Sequence, residues 1–248
     1  MILRQFLHQD PVGISYLVGC GGCEVAAIVD PVGSIEPYLQ AAESGGMQIT
    51  AVIDTHLHAD HLSAGRVLAE ATHADYVLSA QAAVEVPFKP VQDRETLTLG
   101  NVILQVWHTP GHTPEHLCLL VSDRTRADEP WCVLTGHTLM VGDLGRTELA
   151  TTVEEGARAL FRSACRLAAL PDYVEVLPGA YSGSACGRKL SGKPWSTIGY
   201  EKRYNKALGI DDETAFVAYM IANVPPVPPN AAFIRRANAT GNLSPHAV

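Results

Sequence analysis

The order of apolar segments along the chain predicts an α/β fold in which two β-sheets pack together and are covered by helices. Strand-like runs alternate with helical patterns, and several strand-like runs follow one another directly at the start. The 248 residues are 47% hydrophobic and 18% charged, which is ordinary globular composition and enough to bury a full core. No internal repeat or low-complexity tract is visible, so one large domain is expected.

Eight apolar runs are suited to buried strands. They are Ser15–Val18, Val25–Val29, Ile49–Ile53, Tyr76–Leu78, Val102–Val106, Leu117–Val121, Cys132–Leu134 and Val174–Leu177. Between the first two runs lies Cys20-Gly-Gly-Cys23, which has the spacing of a redox motif. Because it falls between two strands rather than at a helix start, we expect a Gly-containing hairpin turn in preference to a redox or metal role.

The clearest helix signal begins at Thr152, which has the spacing of a capping box with Glu155. The apolar stripe of this helix consists of Ala157, Leu160, Ala164, Leu167 and Ala168. Further helical patterns lie near Ile198–Ala207 and Asp211–Ala222. The prolines that follow, within residues 225–229, cannot continue a helix and are expected to lie extended along the surface.

Charge and composition disfavour several classes of function. The formal net charge is −8, and no run of Lys or Arg could follow a phosphate backbone, so we expect a small-molecule substrate and no nucleic acid. Residues 1–8 lack the core of a secretory signal, and no stretch approaches the roughly 20 apolar residues of a membrane span. Six scattered cysteines fit free thiols in a reducing compartment. We therefore expect a cytoplasmic protein that does not bind membranes.

The loop His56-Leu57-His58-Ala59-Asp60-His61 follows the strand-like run Ile49–Ile53. Three imidazoles and a carboxylate within six residues would be costly to bury with nothing to bind. Neutral imidazole is also the commonest metal ligand in proteins. The loop therefore predicts a metal site.

Two further loops carry histidines after strand-like runs. In the segment His108–His116, turns at Pro110-Gly111 and Thr113-Pro114 flank His112 and favour it as a ligand, whereas the histidines at 108 and 116 are expected to be structural. His137 follows the run ending at Leu134. The loop after Leu177 has no ligand-type residue at its tip, where Ala180 lies.

These motifs together resemble the metallo-β-lactamase superfamily. They read His-x-His-x-Asp-His at 56–61, Gly-His-Thr at 111–113 and Thr-Gly-x-Thr at 135–138. The resemblance implies an αββα four-layer sandwich, with two mixed β-sheets flanked by helices and the metal at one edge of the sheets. It covers most of residues 1–190, and residues 191–248 then form a helical and Pro-rich C-terminal extension packed on the same domain.

Later motifs are similar to the branch that contains glyoxalase II and, more closely, the persulfide dioxygenases. They are Leu-Gly-Arg at 144–146, Ser-Ala-Cys-Gly at 184–187 and residues 194–201. The chain departs from the family pattern at His137, where members normally have Asp, and at Ala180, where they normally have His. In the hydrolases that Asp bridges two zinc ions and that His binds the second. Asp60 and His61 alone are too few for a closed second site, so a dinuclear hydrolase is disfavoured.

The resemblance to the persulfide dioxygenases implies one Fe(II) ion per chain. The implied metal ligands are His56, His112 and His137, and the implied catalytic residues beside them, which orient ligands and relay protons, are His58, Asp60 and His61. The implied reaction oxidises glutathione persulfide, or a similar small thiol persulfide, with O2 to sulfite and thiol. Three imidazoles in place of two and a carboxylate leave the site more positively charged and compatible with iron or zinc.

Several alternatives stay open on the sequence. The metal could be held by His56, His58 and His112, as the first zinc is in much of the superfamily. The protein could also be a thioester hydrolase of the glyoxalase II kind, or a catalytically silent metal or thiol binder. Arg146 aligns with the thiol-substrate pocket of the family and is suited to bind a glycine carboxylate of glutathione, although a structural arginine is the alternative.

Two more features of the sequence bear on partners and reactivity. Cys186 follows the fourth loop and is either a reactive thiol near the site or a small packed residue. The apolar, Pro-rich C-terminal region could cover a partner subunit, so a homodimer or a homotetramer is compatible with the sequence.

Overall fold

The computed structural model describes residues 1–222, 224–228 and 230–241. Within these ranges no helix is both long and apolar enough to cross a membrane. The predicted C-terminal extension is therefore seen only as far as residue 241, and Pro229 of the predicted proline run lies outside the described residues.

The first sheet has six strands in the order β1-β2-β3-β4-β5-β6. Their bounds are β1 Ile2–Gln9, β2 Val12–Cys20, β3 Val25–Val29, β4 Gln48–Ile53, β5 Asp75–Ser79 and β6 Lys89–Val91. β1, β2 and β3 pair antiparallel, whereas β3 to β6 pair parallel, so the sheet is mixed.

The second sheet has six strands in the order β14-β13-β10-β9-β8-β7. Their bounds are β7 Thr96–Leu99, β8 Val102–His108, β9 Leu117–Asp123, β10 Cys132–Gly136, β13 Glu175–Pro178 and β14 Ser196–Thr197, and a separate pair is formed by β11 Leu139–Met140 and β12 Asp143–Leu144. β10 and β13 pair parallel, and the other neighbours in this sheet pair antiparallel. The predicted pair of mixed sheets is confirmed.

Helices flank the two sheets. Their bounds are α1 Glu36–Ser44, α2 Gly65–Thr72, α3 Val153–Ala168, α4 Ile198–Tyr204, α5 Glu213–Ala222 and α6 Ala231–Thr240. α3 begins as predicted, because the Thr152 hydroxyl accepts a hydrogen bond from the Glu155 backbone N–H. The predicted patterns near 198–207 and 211–222 are confirmed with shorter bounds.

Three apolar clusters hold these layers together. The central cluster lies between the sheets and includes Ile14 of the first sheet and Leu104 of the second. A second cluster packs α3 and α5 on the second sheet, for example through Leu160 and Phe216. A third packs α1 and α2 on the first sheet through residues such as Leu68. This helix-sheet-sheet-helix order is the predicted four-layer architecture.

Several elements have no continuous apolar run and were not predicted from the sequence. β1 is an edge strand whose residues are half-buried or exposed without regular alternation, so no strand pattern marks it in the sequence. α6 was also missed, because only Ala231 and Ala237 of this helix are buried. The segment 224–228 forms neither helix nor strand, as the prolines predicted.

Candidate metal centre

Three loops meet at one edge of the two sheets. β4 ends at Ile53, β8 at His108 and β10 at Gly136, and the loops with the predicted ligands begin at these ends. The Leu117 backbone N–H donates to Thr55 O at 2.7 Å, which joins the two sheets at this edge. Side chains from both sheets are thereby brought together.

His56, His112 and His137 form one buried group at this edge. One ligand-type atom from each lies within 4.8 Å of the others, and each residue is only 1% exposed. His137 Nδ1 and His112 Nε2 are 3.3 Å apart. The structure therefore brings together the three residues that the sequence predicts as metal ligands.

Contacts with the protein hold the rings of His112 and His56. His112 Nδ1 lies 2.7 Å from the carbonyl oxygen of Arg146, so Nδ1 carries the proton and Nε2 keeps its lone pair. His56 Nδ1 lies 2.9 Å from Thr55 Oγ1. Because the opposite nitrogen of each ring is left for a ligand, both rings are oriented as metal-binding histidines usually are.

His58, Asp60 and His61 form a second group beside the first, with ligand-type atoms also within 4.8 Å of one another. His61 Nδ1 donates to Asp60 Oδ1 at 3.0 Å. The other oxygen, Asp60 Oδ2, lies 3.9 Å from His137 Nε2. The Asp60 carboxylate therefore lies between the two groups, beside the predicted ligands.

Asp30 anchors the loop of the second group and was not identified from the sequence. Its carboxylate accepts hydrogen bonds from the Thr55 backbone N–H at 2.7 Å and from Thr55 Oγ1 at 2.9 Å, and it lies 3.2 Å from His58 Nε2. Asp30 directly follows β3. Its position after a buried strand, in the sheet that also presents the histidine loop, is the signal that could have identified it.

Unpartnered atoms in these groups fit a bound metal ion. Among the described residues, His56 Nε2, His58 Nδ1, Asp60 Oδ2 and His61 Nε2 are buried without a hydrogen-bond partner. A buried polar atom without a partner costs about 1–3 kcal/mol, so four at one place call for a ligand. Imidazole nitrogens and a carboxylate are the donors that iron and zinc accept.

Burial keeps the first group in the form that binds metal. It lowers the pKa of His112 to about 3 and the pKa of His137 to about 4, and it holds the pKa of His56 well below its ordinary value. A metal ion binds only the unprotonated nitrogen. These three rings therefore offer free lone pairs at neutral pH.

The pKa of His58 is shifted in the opposite direction. Burial by itself lowers its pKa, but the hydrogen bond and the negative charge of Asp30 outweigh burial and raise the pKa to about 9. A protonated ring must lose a proton before it can bind metal. This favours His137 as the third ligand. His58 Nδ1 has no hydrogen-bond partner among the described residues, so this nitrogen could still bind a metal ion. The alternative ligand set of His56, His58 and His112 therefore stays a prediction.

The histidines expected to be structural are hydrogen-bonded at strand ends. His116 Nδ1 lies 3.1 Å from Thr109 Oγ1 and 3.0 Å from Thr138 Oγ1, and its Nε2 accepts from the His137 backbone N–H at 3.0 Å. His108 Nε2 donates to the carbonyl oxygen of Pro114 at 2.7 Å. His116 thus fixes the backbone of a predicted ligand without facing the metal site.

Gly145 lets the backbone pass close to two predicted ligands. A Cβ at this position would overlap the carbonyl oxygen of His137 and lie 3.1 Å from His112 Nδ1. The next residue supplies the carbonyl that orients His112. The Leu144-Gly145-Arg146 motif therefore has a positioning role that its sequence alone did not reveal.

The Arg146 side chain, predicted to bind substrate, is only 3% exposed. Its Nε and Nη2 groups contact the Glu148 carboxylate. Nη1 donates to the carbonyl oxygens of Ala185 and Pro226, and Nη2 donates to that of Pro225. The guanidinium thus donates its hydrogen bonds to protein acceptors. Some of these hydrogen bonds would have to break before it could contact a substrate carboxylate. Substrate binding by Arg146 stays a prediction.

Cys186 lies beside the predicted metal ligands and is fully buried. Its sulfur and ligand-type atoms of Asp60 and His137 lie within 4.8 Å of one another. Burial and the nearby Asp60 charge raise the pKa of the Cys186 thiol well above its ordinary value. The thiol is therefore protonated and packed at the edge of the site.

The fourth loop borders the site without adding a ligand. Ala180 is 1% exposed and has no donor side chain. The Gly179 backbone N–H donates to Gly136 O at 2.7 Å, and a Cβ at Gly179 would lie 3.1 Å from His137 Cδ2. The loop therefore supports the backbone and ring of the third predicted ligand.

α6, the last described helix, hydrogen-bonds the backbone of the histidine loop at residues 56–61, which we call the metal loop. Arg235 Nη1 donates to Leu57 O at 2.9 Å, and Arg235 also pairs with Glu115, whose carboxylate accepts from the Leu57 backbone N–H at 2.9 Å. One turn further on, Asn238 Nδ2 donates to the carbonyl oxygens of His58 and His61, each at 2.9 Å. These three residues, Glu115, Arg235 and Asn238, were not predicted from the sequence, and we call them the α6 clamp.

Curated proteins similar to this chain include both hydrolases and a dioxygenase. A hydroxyacylglutathione hydrolase of Rhodospirillum rubrum is 30% identical over 178 residues, which are 70% of this chain and 65% of the relative. The persulfide dioxygenase ETHE1 of Homo sapiens, a mitochondrial protein, is 25% identical over 150 residues, which are 60% of this chain and 56% of the relative. The chain thus spans less than two thirds of the length of these two relatives.

Solved structures match more of the chain. A metallo-beta-lactamase from Staphylococcus aureus is 34% identical with a TM-score of 0.92, covering 98% of this chain and 74% of that chain. ETHE1 from Myxococcus xanthus is 29% identical with a TM-score of 0.81, covering 96% of this chain and 100% of that chain. The family model of the metallo-beta-lactamase superfamily matches residues 12–180, which contain strands β2 to β13 and all three histidine loops. The chain belongs to the metallo-beta-lactamase superfamily.

Proposed function

We propose that this chain is an iron-dependent persulfide dioxygenase that oxidises glutathione persulfide, or a similar small thiol persulfide, with O2. In the overall reaction the outer sulfur receives both oxygen atoms of O2 and one from water. It leaves as sulfite, while the thiol is regenerated and protons are released. The observation that carries the proposal is the buried group of three imidazoles from His56, His112 and His137.

The residues around this group support one metal ion rather than two. Position 137 offers an imidazole in place of the bridging carboxylate of the family's hydrolases, and Ala180 offers no ligand to a second ion. The second group of His58, Asp60 and His61 remains, but His61 hydrogen-bonds Asp60 at 3.0 Å and His58 Nε2 lies 3.2 Å from the Asp30 carboxylate. A group of three protein ligands leaves positions open for substrate, as iron-dependent oxygen chemistry requires.

Iron bound here would supply the one-electron redox chemistry that allows O2 to react with a sulfur anion. The protein's own groups would bind, orient and exclude water. Burial opposes ionisation of Asp60, but His61 and His137 outweigh it and hold the pKa of Asp60 well below its ordinary value, so Asp60 is a carboxylate that accepts a hydrogen bond from His61. Neutral imidazole ligands leave the positive charge of the ion available to attract an anionic persulfide.

Similarity to ETHE1 supports this function over the whole chain. The Myxococcus xanthus protein is matched over 100% of its length, and the human protein of the same name is a persulfide dioxygenase. The Rhodospirillum rubrum hydrolase is matched over only 65% of its length. The structural match to the Myxococcus xanthus protein covers 96% of this chain and therefore extends beyond residues 12–180.

A metal-dependent thioester hydrolase is the second candidate. Two observations favour it, namely the group of His58, Asp60 and His61 and the 30% identity to a hydroxyacylglutathione hydrolase. Zinc held by His56, His58 and His112 would polarise a water molecule for attack on the thioester carbonyl. This candidate requires His58 to lose the proton that Asp30 stabilises.

One experiment separates the candidates. Protein purified without added metal is analysed for iron and zinc, then loaded with each metal and supplied with glutathione persulfide or with a hydroxyacylglutathione thioester. We expect O2 uptake and an equal amount of sulfite with iron-loaded protein, loss of both in His56→Ala, and no change in His73→Asn, which alters an exposed histidine. Thioester cleavage without O2 uptake would support the hydrolase, and neither activity would support a silent metal binder.

A further inference from the structure

Cys20 and Cys23 lie at the edge of the sandwich opposite the candidate metal centre. Cys23 precedes β3, which runs parallel to β4, whereas the metal loop follows the end of β4. The Cys23 backbone N–H donates to Cys20 O at 3.1 Å and closes the turn between β2 and β3. The predicted hairpin turn is confirmed, and it places two thiols together outside the site described above.

The turn between β7 and β8 lies against the sulfur atoms of both cysteines. Asn101 Nδ2 lies 3.8 Å from Cys20 Sγ and 4.0 Å from Cys23 Sγ. Gly100 has a φ of +59°, and a Cβ there would overlap Cys23 Sγ and lie 3.2 Å from Cys20 Sγ. Both sulfurs therefore adjoin the same point of the second sheet, in a space that a glycine keeps free.

Only one of the two thiols is accessible from solvent. Cys20 is 5% exposed, whereas Cys23 is exposed. Nothing lies within 4 Å of the position where a Cβ would stand on Gly22, so the tip of the turn is open. A small reagent can reach Cys23 first, and Cys20 is then the nearest thiol that can react with it.

We propose that Cys20 and Cys23 form a redox-active dithiol that exchanges with low-molecular-weight disulfides such as oxidised glutathione. The Cys23 thiolate attacks one sulfur of the small disulfide and releases one small thiol. The Cys20 thiolate then attacks Cys23 Sγ and displaces the second small thiol, which leaves a disulfide between the two cysteines. The small disulfide is reduced by two electrons, and the protein dithiol is oxidised by the same two.

The geometry of the turn permits this disulfide. Residues at the two ends of a β-turn have Cα atoms less than about 7 Å apart, and disulfides span about 4.4–6.8 Å between Cα atoms. Hydrogen bonding by Asn101 lowers the pKa of the Cys20 thiol, whereas the hydrogen bond between Cys23 and the same sulfur raises the pKa of the Cys23 thiol. Cys20 is therefore the better thiolate for the second step, although it is the less exposed.

The other cysteines offer an internal comparison. Cys118, Cys132 and Cys186 are buried, and burial raises the pKa of each thiol. Cys165 on α3 is exposed like Cys23. Because no second cysteine lies near it in sequence, Cys165 can form a mixed disulfide but has no adjacent thiol to resolve it. Cys165 therefore serves as the matched control.

The proposal is tested by equilibrating the intact chain with mixtures of reduced and oxidised glutathione, then mapping thiols by mass spectrometry. We expect wild type and Cys165→Ser to lose the thiols of Cys20 and Cys23 together, with no glutathione left on either. Cys20→Ser should retain one glutathione on Cys23, and Cys23→Ser should retain the Cys20 thiol.

A wild-type protein that keeps both thiols free, or that accumulates glutathione on Cys23 as Cys20→Ser does, would overturn the proposal. The measurement is made on metal-free and on metal-loaded protein. Because it reads thiols and not turnover, its outcome is independent of the proposed dioxygenase activity.

Discussion

Arg235 and Glu115 form a two-point ion pair in which Nη1 and Nη2 of the guanidinium each lie 3.2 Å from a different carboxylate oxygen. The pair joins the last described helix to the loop before β9. Since Glu115 also accepts from the Leu57 backbone N–H, the ion pair fixes the centre of the metal loop. Residues far apart in the sequence thus control the position of the predicted ligands.

Arg235→Met is expected to weaken both the fold and the metal site. It leaves the Glu115 carboxylate, which is 5% exposed, without its counter-ion, and breaking such a pair costs about 3 kcal/mol when it is fully buried. We expect a lower urea midpoint and faster metal loss to a chelator. Arg236→Met, which changes an exposed residue of the same helix, is the control. Equal chelation rates in both variants would contradict the role of the α6 clamp.

The contribution of Glu115 to stability should depend on pH. Burial by itself raises its pKa, but Arg235 outweighs burial and holds the pKa below the ordinary value of 4.5. A carboxyl with a lowered pKa stabilises the fold above its unfolded pKa and loses that contribution as pH falls through its folded pKa. The difference in unfolding free energy between wild type and Glu115→Gln should therefore shrink below pH 4.5. A difference that is constant from neutral to acid pH would refute this.

The third metal ligand can be identified by comparing two alanine variants. If His137 binds the metal, His137→Ala should lower metal affinity more than His58→Ala, because supporting residues typically contribute about 10–100-fold. Affinity is measured for zinc by competition with a chromophoric chelator and for iron by metal content after dialysis. The reverse order would identify His58 as the ligand and would favour the hydrolase candidate.

Gly145→Ala should disturb two predicted ligands without altering their side chains. The added Cβ would overlap the His137 carbonyl oxygen and press on His112, and overpacking typically costs about 1–3 kcal/mol. We expect reduced metal content and a lower melting temperature. Gly192→Ala is the matched control, because nothing lies within 4 Å of a Cβ at that position. Wild-type metal content in Gly145→Ala would show that the close approach is tolerated.

Arg146→Met distinguishes two roles of this arginine. If the side chain mainly holds the C-terminal segment through the carbonyls of Pro225 and Pro226, limited proteolysis between α5 and α6 should become faster. If it mainly binds substrate, KM for the persulfide should rise while the proteolysis rate stays that of wild type. Arg126→Met, at an exposed position, controls for loss of a positive charge.

Local patterns accounted for the eight strands that were predicted and for the histidine loop. The run Val25–Val29 and the start of α3 were predicted to the residue because apolar continuity and a capping box are properties of neighbouring residues. The same locality explains the errors. β1 and α6 have no continuous buried apolar face, so their local sequence does not indicate them. Contacts with distant segments of the fold stabilise both elements.

By itself the sequence determined which donors are present: His56, His112 and His137 at strand ends, and no ligand at Ala180. Only the tertiary structure decided how they are used. It brought Asp30 to His58, Arg235 to Glu115 across 120 positions of chain, and Asn101 to Cys20 across 81. Such pairs produce no periodic pattern in the local sequence. Bringing the two residues together lowers the conformational entropy of the chain, and the stabilising contact forms only when distant segments meet in the folded protein.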